Sequence, residues 1–185
     1  TMTNVLSKSS SANKIQKTVS PERPRELPCD VHHITVKGEQ YFVLVGIYND
    51  EPYEVFAGKN GFIGKKVKSG TVIKMGRPKG VYKAILEDGL ELSPINATCS
   101  AEEDALTRMT STSLRHGADI HMVVQQLEKV RGEMTCLAKS MARALKKYIP
   151  DGTKEEGVCE ECGSKGLIRQ EGCVTCTQCG WSKCV

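Results

Sequence analysis

YFVLVGIYNDEPYEVF, residues Tyr41 to Phe56, carries β-branched and aromatic side chains up to Tyr48, breaks at Asn49-Asp50-Glu51-Pro52, and resumes as Tyr53-Glu54-Val55-Phe56. Such residues suit a pleated, half-buried surface, and the polar break with its proline reads as a turn between antiparallel strands. Just upstream, Gly38-Glu39 marks another hairpin, joining Ile34–Val36 to the Tyr41 strand. The stretch predicts a three-stranded antiparallel meander.

Before it, residues 1–28 (TMTNVLSKSSSANKIQKTVSPERPRELP) are rich in Ser, Lys and Pro and poor in large apolar residues. Too little apolar surface is available there to offset ordering entropy, so the segment reads as a linker or tether. After the meander, residues 58–92 are dense in Gly and Lys, with strand-like pieces at Thr71–Met75 and Val81–Leu86 and a hairpin signal at Asp88-Gly89. Lys59, Lys65, Lys66, Lys68, Lys74, Arg77, Lys79 and Lys83 make this the most basic part of the chain. They suit either protection of exposed strand edges or contact with phosphates. Gly58-Lys59-Asn60-Gly61 lacks the spacing of a phosphate-binding loop.

Helices are predicted from Ser100 onward. Ser100 and Glu103 fit a capping box, Gly117 stops the first helix, and Asp119 caps a second with Ile120, Val123, Val124 and Leu127 on one face. A third runs from about Thr135 to Tyr148 and ends at Pro150-Asp151-Gly152. The expected fold class is α+β: a small antiparallel sheet covered by about three helices over residues 29–150, followed by a cysteine-rich zinc-ribbon tail over 151–185.

Composition adds boundaries. Charged residues make up 26% and the net charge is +4, which by itself does not argue for nucleic acid. No run of 18 apolar residues exists and no secretory signal is evident at the start, so a cytoplasmic location is expected. His116 and His121 read as surface or cap histidines. His32 and His33 sit too close to Cys29 for a regular metal site, and Cys99 and Cys136 read as small buried side chains.

Six of the nine cysteines lie in CEECGSKGLIRQEGCVTCTQCGWSKCV, Cys159 to Val185. Each C-x-x-C pair, Cys159/Cys162 and Cys176/Cys179, is followed by glycine (Gly163, Gly180), as tight knuckles require. Two knuckles joined by a hairpin bring four thiolates into the tetrahedron that zinc prefers, so Cys159, Cys162, Cys176 and Cys179 are the candidate ligands. Metal binding would then supply most of the tail's folding energy. Cys173 and Cys184 flank the second knuckle. They are spare or alternative ligands, including a Cys179/Cys184 arrangement with Cys173 in a zinc position, or a dithiol able to exchange.

The tail resembles the cysteine-rich C-terminus of adenosylcobalamin-dependent (class II) ribonucleotide reductases. The resemblance extends upstream through Arg23-Pro24-Arg25, Tyr53–Phe56 and LTRMTSTSLRHGADIHMVVQQLEKV. Met134-Thr135-Cys136 stands where that family has Thr-Ser-Cys-Pro-Asp, with Leu137 and Ala138 here in place of Pro and Asp. The resemblance implies a C-terminal part or split subunit of an enzyme that converts ribonucleotides to deoxyribonucleotides on a catalytic barrel absent from these 185 residues. Adenosylcobalamin would belong to that parent enzyme, and this chain alone would not reduce nucleotides. The implied partners are the barrel and a thioredoxin-like reductant. The implied redox shuttle is Cys173 with Cys184, swung by a linker at 153–157 and stiffened by zinc on the other four. The contrasting class is a non-catalytic zinc ribbon binding nucleic acid or protein through the lysines of 58–83 and Trp181.

Overall fold

The computed structural model describes residues 15–77 and 79–184; the first half of the N-terminal tether therefore lies outside the described residues. Six strands form one antiparallel sheet: β1 (Glu26–Val36), β2 (Glu39–Tyr48), β3 (Glu51–Lys59), β4 (Ser69–Lys74), β5 (Tyr82–Leu86) and β6 (Glu91–Leu92). Their order is β3-β2-β1-β4-β5-β6. Three helices follow, α1 (Ala101–Arg115), α2 (Ile120–Glu128) and α3 (Leu137–Leu145), with a 3-10 turn at Lys146–Tyr148. The α+β expectation holds, with a wider sheet than the meander alone.

The turns explain the first three strands. Lys37 and Gly38 both take positive φ, as do Asn49 and Asp50, which is the two-residue turn whose twist matches a hairpin. Val36 faces Glu39 and Tyr48 faces Glu51, so the register follows from the turns.

Strand β2 reads as a continuous apolar run because both of its faces are covered. Tyr41, Val43 and Val45 join Val55, Ala57, Val124, Leu137, Met141 and Leu145 in a core between sheet and helices. Phe42 and Leu44 point the other way, into a second core with Val31, Ile63, Val67, Val72, Ala84, Leu86 and Ile95. The sheet curls far enough for Phe56 on β3 to meet Tyr82 on β5, ring centroids 5.2 Å apart. Chain 60–68 crosses that second face and delivers β4 to β1. The outer edge of β3 is closed by α1 instead: the buried Ser111 hydroxyl accepts from Val55 N–H and lies 3.1 Å from its carbonyl.

Helix α1 begins with the expected capping box, Ser100 Oγ accepting from Glu103 N–H and the Glu103 carboxylate from Ser100 N–H. Asp119 caps α2 through His121 N–H. Cys136 occupies the cap position of α3 without a side-chain cap bond, and Cys99 Sγ donates to the Ala57 carbonyl.

Strand β1 starts inside the segment expected to be a tether. Leu27 and Cys29 are buried, and Glu26 to Asp30 pair with β4. Arg23, farther upstream, is drawn in by the fully buried carboxylate of Glu54, which it meets at 2.6 and 2.9 Å. Arg115 of α1 approaches the same carboxylate at 2.8 Å. A Cβ on Gly46 would come within 2.6 Å of Glu54 Cγ, so glycine there makes room for the buried acid. Tyr53 Oη donates to the Pro21 carbonyl, and Thr18 bonds to His116 at the α1–α2 corner.

Candidate metal centre and redox pair

The tail is a second, three-stranded sheet: β7 (Leu167–Gln170), β8 (Cys173–Cys176) and β9 (Ser182–Cys184). Its two knuckles are built alike. Gly163 N–H donates to the Cys159 carbonyl and Cys159 N–H to Ser164; Gly180 N–H donates to Cys176 and Cys176 N–H to Trp181. Both glycines hold positive φ, 69° and 77°.

The knuckles face each other and bring four sulfurs together. Cys159, Cys162, Cys176 and Cys179 place their Sγ atoms within 4.8 Å of one another. Two of the cross-knuckle distances, Cys159–Cys179 and Cys162–Cys176, are 3.6 Å. A tetrahedron with metal–sulfur bonds of about 2.3 Å has edges of about 3.8 Å, so the set matches a structural zinc site and could hold such a metal. Cys159 and Cys176 are buried and Cys162 and Cys179 exposed, leaving one side of the cluster open to solvent.

Cys162, Cys176 and Cys179 differ in how readily they ionise. The Ser164 hydroxyl, 3.2 Å from Cys176 Sγ, and then the Cys179 N–H hold Cys176 down to about 6. Ser164 also lowers Cys162. Trp181 N–H draws Cys179 down, but loss of hydration and the neighbouring thiols outweigh it and push that group up to about 12. Crowded sulfurs cannot all ionise unless a cation joins them.

The remaining two tail cysteines stand apart from this cluster. Cys173 on β8 and Cys184 on β9 are direct cross-strand partners and are joined as a disulfide. Cys184 is exposed and Cys173 half-buried. Their register places the pair on the strands, outside the four-sulfur cluster.

Other residues singled out in the sequence fall elsewhere. His32 Nε2 meets Tyr148 Oη at 2.7 Å, and Tyr148 donates to Asp30 at 2.6 Å. His33 bonds to the Val67 carbonyl and Asn60. Trp181 packs beside Leu167, Cys159 and Cys176 in the tail's small core.

The segment at 153–157 is not the free swing arm expected. Arg169 N–H donates to Thr153, Glu155 N–H to Leu167, and Gly152 N–H to Arg169, so 152–155 adds as an outer strand to β7. The Glu155 carboxylate is gripped by the buried Arg169 at 2.6 Å and reaches His121 on α2 at 3.3 Å. Spacing could not show this anchor, because Glu155, Arg169 and His121 belong to different elements. Ser164 was also missed, although it occupies after Gly163 the slot that Trp181 occupies after Gly180.

Residues 27–150, about two-thirds of the chain, match the family model described as NrdJ homologue C-terminal domain. The match spans the six-stranded sheet and the helices and stops short of the six tail cysteines. No curated protein and no solved structure matches the chain. The chain belongs to the family of NrdJ homologue C-terminal domains, which relates it to class II ribonucleotide reductase.

Proposed function

We propose that this chain is the C-terminal part or a separate subunit of an adenosylcobalamin-dependent ribonucleotide reductase, and that its tail carries electrons to the catalytic barrel. The observation that carries this reading is the separation of six cysteines into a four-sulfur cluster and a bonded pair, Cys173–Cys184. Zinc on Cys159, Cys162, Cys176 and Cys179 would supply folding energy to a zinc ribbon.

The exchange runs through the pair. In the reduced tail, the Cys184 thiolate attacks one sulfur of a disulfide left in the catalytic site by turnover, releasing the other sulfur as a thiol. The Cys173 thiolate then attacks Cys184, closing the Cys173–Cys184 bond and freeing the second catalytic thiol. Two electrons and two protons pass from tail to barrel, and an external thioredoxin-like dithiol restores the pair by the same steps in reverse. Cys184 suits the attacking role because it is exposed, and Cys173 the resolving role because it lies directly opposite. Since 152–155 is tied to β7, the head would move as one body with that strand, after release of the Glu155–His121 contact.

The test is Cys184→Ser in the assembled enzyme. Turnover driven by thioredoxin should fall to background while zinc content and turnover driven by dithiothreitol persist. Loss of stoichiometric zinc would assign Cys184 to the metal, and unchanged thioredoxin-driven turnover would remove the shuttle.

A further inference from the structure

Strand β1 is only half covered on the side away from β2. Its pairing with β4 ends at Asp30, and Val31 N–H makes one further bond, to the Lys68 carbonyl. Upstream of Lys68 the chain bends away, because Val67 and Ile63 are committed to the second core. The odd-numbered residues of β1 turn their backbone groups to this side, as Val31 N–H, the Thr35 carbonyl (bonded by Ser140 Oγ) and Lys37 N–H (bonded to Thr135) show. Among the described residues nothing accepts from the N–H of His33 or Thr35, or donates to the carbonyls of Val31 or His33.

This open edge forms one wall of a cleft of about 660 Å³. The other walls bring Lys68, Arg143 and Lys147, and no carboxylate lines the cleft. None of the three cations is in an ion pair among the described residues; Arg143 is spent on the Met134 carbonyl and Ser140 Oγ. Asp30, the acid nearest in sequence, is engaged by Tyr148.

We propose that the β1 edge from Val31 to Thr35 docks an extended acidic peptide segment of a partner protein, which adds to the sheet in line with β4. The edge presents donors and acceptors in alternation, the pattern only another backbone strand satisfies. A phosphate would meet the cations and the two N–H groups but would set its oxygens against the carbonyls of Val31 and His33. Five residues at about 3.3 Å each give a bed of roughly 16 Å, enough for a strand of average length. The cations repel basic or second-copy edges, since this chain's own edge is basic, and select an acidic one.

The experiment titrates the full chain against fluorescein-labelled (Glu-Val)4, with three comparisons: the same peptide N-methylated at alternate residues, (Lys-Val)4, and inorganic tripolyphosphate. The acidic peptide should bind, slow hydrogen exchange of the His33 and Thr35 amides at least about ten-fold, and lose at least about ten-fold in affinity on N-methylation. Lys68→Glu with Lys147→Glu should weaken it by roughly ten-fold or more. Equal binding of the N-methylated peptide, or displacement by tripolyphosphate, would make the cleft an anion site and overturn the proposal. Tighter binding of (Lys-Val)4, self-association of the chain through the same amides, or no binding at millimolar peptide would overturn it too.

Discussion

Reduction of Cys173–Cys184 should leave the tail folded when zinc is bound and unfold it when zinc is absent. The disulfide closes a loop between residues 11 apart, and removing that restraint from the unfolded chain costs about 3 kcal/mol at 25 °C. A structural zinc on four thiolates supplies about 10–16 kcal/mol near neutral pH. The metal term is several times the crosslink term, so the pair can open without loss of the knuckles that position it. The tail's apolar core is small, with Cys159, Leu167 and Cys176 buried and Val174 and Trp181 beside them. The assay is built in: Trp181 is the chain's single tryptophan, so its emission reports on the tail alone. Four samples are compared, with and without one equivalent of zinc and with and without tris(carboxyethyl)phosphine. Emission should match in both zinc-loaded samples, with one zinc per chain in each, and should shift red in the reduced, zinc-free sample. Release of zinc on reduction, or exposure of Trp181 while zinc stays bound, would mean that the disulfide and not the metal holds the tail together.

Three further outcomes follow from the sheet and the anchor. Glu54→Ala strands Arg23 and Arg115 beside a buried void and should cost about 3–5 kcal/mol in urea unfolding, while Glu54→Leu with Arg23→Met should cost less than the single change. His32 is held down to about 4, by burial first and Lys147 second, so below 6.5 the unfolded chain takes up a proton that the folded chain refuses. Stability should therefore fall as pH drops from 6.5 toward 4, by about 2 kcal/mol after allowance for partial exposure, and the difference between wild type and His32→Leu in urea melts should carry that slope. Glu155→Ala removes the partner of the buried Arg169 and the tie to His121, and should raise proteolytic cleavage near residue 153 by at least about ten-fold while sheet and helices stay resistant.

The parts of the molecule written in local signals were readable from the sequence. Gly38, Asn49-Asp50, Ser100 with Glu103, and Asp119 each fix a turn or cap within four residues, although the first turn falls at Lys37-Gly38 and not at Gly38-Glu39, and the knuckles follow from cysteine and glycine spacing. Features made by distant partners were not readable. Arg23 looks like part of a polar tether because the acid that buries it lies 31 residues away. The closing of the β3 edge by Ser111 joins residues 56 positions apart. Thr153 to Glu155 carries no strand signature, and becomes one only because β7 offers it an edge. For the site, spacing singled out six cysteines but left the roles of Cys173 and Cys184 open. Their cross-strand register separates them from the cluster.

Thr18 leans on His116, and Glu155 on His121, five positions further along the same corner between α1 and α2. Polypeptide therefore arrives at this domain and departs from it at nearly one point, so the domain hangs to the side of the through-path rather than adding its diameter to it. The reach of the cysteine head, measured from Thr18, is set by the few residues on either side of that corner. Lengthening or deleting a hairpin in the sheet would leave that reach unchanged, whereas a short spacer after Pro150 would extend it once the Glu155–His121 contact is released.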